Sequence, residues 1–199
     1  MSPGAAFVQN GSMAQAHPAT ATPSPSRYTV TAVTLHWLLA LMIVVALIVG
    51  FTMQGMPVSM LRLKLYNWHK WAGVTILALS LLRLVWRLTH RPPADVAMPA
   101  WQARFAHATH LALYALFFAV PLVGWAYSSA AGFPVVWFGV LPLPDFVPVD
   151  KALAETLKPW HGRLAWLMAA LVLLHVAGAL KHQFIDRDGL IGRMRLRRG

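Results

Sequence analysis

Four long apolar runs, separated by polar or proline-rich connections, organise the chain. They extend from about Thr31 to Met53, Trp68 to Leu88, His107 to Ser129 and Pro159 to Phe184. Each has the length an α-helix needs to cross a hydrocarbon core roughly 30 Å thick. The pattern predicts an all-α membrane protein built as a four-helix bundle. Pro92 and Pro93 cannot continue a helix and separate the second run from the third. Pro121 predicts a kink inside the third. The connection from Ala130 to Lys158 carries four prolines. Its apolar stretch Val135–Leu141 is too short to span and is expected to lie in the membrane interface. Pro159 suits the first turn of the fourth helix. Residues 1–27, rich in Ala, Ser, Pro, Gly and Thr, lack the apolar core of a signal peptide and are expected to form a disordered tail. The membrane domain then covers residues 28–192, and residues 193–199 form a basic tail.

Composition supports that class. Of 199 residues, 58% are hydrophobic and only 12% charged, which excludes a soluble domain. All six acids lie outside the apolar runs, as the cost of burying charge in lipid requires. The net charge is +11. These cations cluster beside apolar spans, where topology and anionic lipid explain them and nucleic acid is not needed as a partner. Ten Lys and Arg fall on the side that holds both termini and six on the other, with Arg83 left out as lying inside a span. This bias predicts a multi-pass inner-membrane protein with both termini cytoplasmic. There is no cysteine, so disulfides, iron–sulfur ligation and covalent haem attachment through thiols are excluded.

The chemistry lies in the histidines. His161 and His175 are fourteen residues apart, about 21 Å and nearly four turns, so both point off almost one helix face. The alternation of spans sets the depth of each histidine. His36 enters at the cytoplasmic edge, level with His175; His69 enters at the outer edge, level with His161. Each pair could ligate one haem iron through two imidazoles, which implies two noncovalent haem b groups. Zinc or copper would favour tighter clusters with carboxylate or thiolate ligands. A single histidine near a membrane edge is more often an interfacial residue; four at two matched depths argue for ligation.

Other positions repeat the same spacing. Gly50 lies fourteen residues after His36 and would let a porphyrin approach the backbone. Gly124 lies fourteen after His110, and tight helix packing explains either glycine equally well. Arg83, fourteen after His69, could pair with a propionate of the inner haem or snorkel to the surface. His107 and His110 open the third span as a haem neighbour, a propionate partner, a quinone contact or a structural pair. Lys181 and His182 could bind or protonate a quinone at the cytoplasmic edge, or serve as an interfacial anchor.

The ordered set R-Y-T-V-T-A-V-T-L-H-W-L, N-W-H-K-W-A-G, L-L-R-L-V-W-R-L-T-H-R-P-P, H-L-A-L-Y-A-L-F-F-A-V-P-L-V-G-W and W-H-G-R-L-A-W…L-L-H-V-A-G-A-L-K-H resembles the bacterial cytochrome b561 family over residues 27–192. The resemblance implies a four-helix dihaem b membrane cytochrome, with His36, His69, His161 and His175 at the axial positions. It further implies ubiquinone as a redox partner and, in one branch, superoxide oxidation at the outer face. On that reading Lys70 and Arg163, beside two of the ligands, are cations that steer the anion or bind propionates. The competing reading is an electron-transfer subunit that links the quinone pool to a dehydrogenase or another periplasmic redox partner. A haem-free structural or transport bundle is the third.

Overall fold

The computed structural model describes residues 27–196, so the expected N-terminal tail, with His17, and the last three residues lie outside the described residues. Four helices form the body: α1 (Val30–Gln54), α2 (Met60–Thr89), α3 (Ala100–Ala130) and α4 (Lys151–Lys181). All four are long and apolar enough to cross a membrane. A two-stranded hairpin, β1 (Val136–Trp137) and β2 (Leu141–Pro142), joins α3 to α4. A short π-turn (His182–Asp186) and a 3-10 turn (Ile191–Met194) follow α4.

Three helices open on side-chain caps. Thr29 accepts from the Ala32 N–H, Ser59 from Arg62 and Asp150 from Leu153, each satisfying an orphan amide of the first turn. These caps explain why α2 and α4 begin about two turns before their apolar runs. Hydropathy sees only the part that lipid contacts, whereas the helices continue through polar residues at the interface. One expectation is corrected here. Pro159 is not a first-turn residue but lies inside α4, because Asp150 starts that helix at Lys151. Pro121 likewise sits within a continuous α3.

Inside the bundle, Leu39, Ile43, Ala46, Ile76, Leu116, Val120 and Met168 form one buried cluster contributed by all four helices. The outer helix surfaces expose Leu41, Ile48, Leu111 and Leu173, as helices facing lipid rather than water do. The apolar stretch of the α3–α4 connection does not span but forms the hairpin. Phe138 and Gly139 both adopt positive φ, the conformation of a tight hairpin turn, and fold Val135–Leu141 back on itself. This hairpin is fixed to α2. Trp71 Nε1 donates to the Val136 carbonyl at 2.6 Å, and Trp137 Nε1 donates to Thr75 Oγ1 at 3.1 Å. At the other end of the bundle the C-terminal segment crosses back over the helix ends. Trp37 Nε1 donates to the Met194 carbonyl and Arg193 to that of Ala94.

Candidate functional site

Helix α4 faces two neighbours at two levels. At one level His175 meets His36 of α1, with ring centroids 6.2 Å apart and planes at 75°. At the other, His161 meets His69 of α2, at 6.1 Å and 86°. Along α4 the two levels are separated by about 21 Å. An imidazole nitrogen binds a transition metal at about 2.0–2.1 Å, so two imidazoles on opposite sides of one ion have centroids about 6 Å apart. Both pairs have that spacing.

The His69–His161 level is the more completely built. His161 Nδ1 donates to the Val120 carbonyl at 3.0 Å, which orients the ring and leaves Nε2 free to act as a ligand. His69 Nδ1 is buried and has no hydrogen-bond partner among the described residues. Both rings open onto a cavity of about 650 Å³ whose walls include Gly50, Gly73, Phe117 and Gly162. Two glycines seat the rings. A Cβ at Gly50 would lie 3.0 Å from His69 Cε1, and one at Gly124 would lie 2.7 Å from His161 Cε1. Gly50 therefore admits the imidazole of His69 as well as lining the cavity. Apolar walls and a pair of opposed imidazoles fit a flat metal macrocycle.

A family profile described as prokaryotic cytochrome b561 matches residues 27–196. The chain is 32% identical over 182 residues to cytochrome b561 homolog 2 of Escherichia coli K12, covering 87% of this chain and 93% of that protein. It is 29% identical over 180 residues to cytochrome b561 homolog 1 of the same organism, covering 87% and 99%. It is 28% identical over 169 residues to the probable superoxide oxidase CybB of Yersinia pestis, covering 84% and 95%. The chain belongs to the prokaryotic cytochrome b561 family. It is thus a membrane electron-transfer protein, and the cofactor of cytochrome b561 is haem b.

Around the His36–His175 level, this cytochrome b561 chain gathers more polar groups. His110 lies edge-on to His175, with centroids 5.2 Å apart. Arg83 lies in the neighbourhood of His36, His110 and His175. Its Nε donates to the Tyr114 hydroxyl at 3.2 Å, while Nη1 is buried without a partner among the described residues. A half-buried guanidinium with a free donor is suited to a carboxylate of a bound cofactor. His107 is engaged elsewhere, with the Ala103 carbonyl and, at 3.6 Å, with Asp95.

Other sequence candidates fall outside the described cavity. The Lys70 ammonium donates to the carbonyls of Phe133 and Pro134, so it holds the α3–α4 connection against α2. Arg163 is exposed and stacks its guanidinium over Trp160 at 5.2 Å. Lys181 grips Asp186 at 2.6 Å, and His182 Nδ1 lies 2.5 Å from Asp188 and 3.3 Å from Asp186. Burial alone would raise the Asp188 carboxyl. The Leu190 N–H, a hydrogen bond from His182 and that imidazole's charge outweigh it and hold the group below the usual carboxylate range. Sequence reading missed the Val120 carbonyl and Tyr114. Tyr114 had a signal, since it lies four residues after His110 on the same face of α3. A backbone carbonyl carries none.

Proposed function

We propose that the chain is a dihaem b cytochrome of the bacterial inner membrane, with both termini cytoplasmic, that oxidises superoxide at the periplasmic face and reduces ubiquinone. The observation that carries the reading is the pair of imidazole couples at two levels of α4, each with the spacing of axial ligation. His69 and His161 would hold the outer haem and His36 and His175 the inner one. Bound haem b supplies reversible one-electron chemistry on the iron. Overall, two superoxide anions each lose one electron to give two molecules of dioxygen, and one ubiquinone takes up those two electrons with two protons to give ubiquinol.

The chain's own residues prepare each end. The periplasmic side carries more cations than acids, and its three acids are occupied: Asp145 by Ser129, Asp150 by the cap of α4 and Glu155 by Lys151. Arg163, exposed and without an acidic partner among the described residues, draws a small anion toward His161. The hairpin, held by Lys70 and Trp71, covers the adjoining end of α2 and favours a small donor over a protein one. Val120 keeps His161 in the tautomer that ligates. On the cytoplasmic side Arg83, held by the Tyr114 hydroxyl, would neutralise a haem carboxylate, and His110 stands against His175. Lys181 and His182 carry protons at the cytoplasmic edge, where quinone reduction consumes two.

The purified protein should show reduced-minus-oxidised b-type bands with two haems per chain. His161→Ala should remove one haem and His175→Ala the other; retention of both in either variant would refute the ligand assignment. Rapid mixing with superoxide should reduce the haems, and ubiquinone should reoxidise them. Haems that ignore superoxide but respond to a quinol or a protein donor would replace this reading with the electron-transfer subunit.

A further inference from the structure

We infer that the arginines at the cytoplasmic end of α2 form a binding site for the phosphate of an anionic phospholipid. Arg83 and Arg87 are four residues apart on one face of α2, about 6 Å along the helix, and Arg91 follows just beyond the helix end. They line a cavity of about 450 Å³ between the start of α1, the end of α2 and Tyr114 of α3. No carboxylate is among the described residues that line it. The acidic side chains of the described residues are engaged elsewhere. All six acids have partners: Asp95 with His107, Asp145 with Ser129, Asp150 with Leu153, Glu155 with Lys151, Asp186 with Lys181 and Asp188 with His182. The N-terminal tail contains no acid. Among the described residues, no acidic side chain balances this column.

Depth divides the column. Arg83 sits deepest, where its Nε donates to the Tyr114 hydroxyl. Arg87 lies one turn further out, in the last turn of α2, and Arg91 lies just beyond the end of the helix. Trp86, His90 and Tyr28 line the same cavity, and aromatic rings of this kind mark the level of lipid headgroups. Val85 and Leu88, 49% and 77% exposed, offer apolar surface next to the arginines for acyl chains. Two exposed guanidiniums, each a planar fork of donors, line the cavity beside these aromatic rings and suit a phosphodiester. Basic pockets between membrane helices bind anionic headgroups by this chemistry.

The test uses the haem-loaded full chain and native mass spectrometry, with phosphatidylglycerol and phosphatidylcholine titrated separately. Phosphatidylglycerol should remain bound where phosphatidylcholine does not. The double variant Arg87→Gln/Arg91→Gln should weaken it roughly thirtyfold, about fivefold per lost cation, while the b-type spectrum stays that of the wild type. Equal retention of both lipids by the wild type would overturn the site without reference to any variant. So would an unchanged adduct in the double variant. Displacement of the lipid by equimolar inorganic phosphate would show a site for free oxyanions instead. Because the readout is lipid mass, its failure is distinct from failure of the haem assignment, which appears in the spectrum.

Discussion

Replacing Gly124 by alanine tests the outer site with one methyl group. The new Cβ would stand 2.7 Å from His161 Cε1 and 2.9 Å from its Nδ1. Ordinary carbon contacts begin about 0.7 Å further out. The ring cannot yield at no cost, because Nδ1 already donates to the Val120 carbonyl at 3.0 Å. A shift of that size stretches the bond beyond hydrogen-bonding range. It also moves Nε2 away from the axis shared with His69. Overpacking of this kind typically costs about 1–3 kcal/mol. Disturbing the group that orients a metal-binding histidine costs about 10–100-fold in metal affinity. Alanine in a helix interior otherwise favours the fold by about 1 kcal/mol over glycine, so the sign of the effect separates the two contributions. Gly124→Ala should lose most of its outer haem, read as haem per chain and as loss of one component of the difference spectrum. Gly50→Ala, whose Cβ would lie 3.0 Å from His69 Cε1, should show a weaker form of the same defect. Gly178→Ala, which meets nothing within 4 Å, should keep both haems and melt no lower than the wild type. If Gly124→Ala retained two haems, the wild-type spectrum and the wild-type melting temperature, the seating of His161 by Gly124 would be wrong.

Other expectations follow from the same contacts. Arg83→Gln should lower occupancy of the inner haem several-fold while leaving the outer component of the spectrum unchanged, as titration with haem would show. Lys70→Met removes the ammonium that holds the Phe133 and Pro134 carbonyls; protease should then cut the α3–α4 connection faster, with both haems retained. Arg163→Glu should slow haem reduction by superoxide several-fold at low ionic strength, and the difference from wild type should shrink as salt screens the field, seen by stopped flow. Asp188 has a folded pKa held below its ordinary value of about 3.9, so the stability it contributes is fully present above that value and is lost as pH falls through the lower folded one. Protection of the Leu190 amide, taken relative to its intrinsic exchange rate, should therefore fall below about pH 4, and in Asp188→Ala, which removes the acceptor, it should be lost at neutral pH.

Much of this protein can be read from its chain because lipid imposes a simple rule. A segment that crosses a bilayer must be helical and apolar, so four runs in the sequence mean four helices. Helix geometry then turns a separation of fourteen residues into two levels on one face, and the alternation of spans predicts which histidines share a level. Helix starts were less legible: Ser59 and Asp150 begin α2 and α4 by capping, in polar stretches that hydropathy passes over. The fate of the loose cations was not legible at all. Lys70 and Arg163 look alike in sequence, each two or fewer residues from a histidine, yet one is consumed by loop carbonyls and the other stands free over Trp160. The same holds for Lys181 and His182, whose carboxylate partners come from a turn after the helix, and for the Val120 carbonyl that orients His161. Periodicity is a property of a single helix and is written along the chain. Hydrogen bonds between elements depend on distances near 3 Å, and those arise only when the helices and the hairpin have packed.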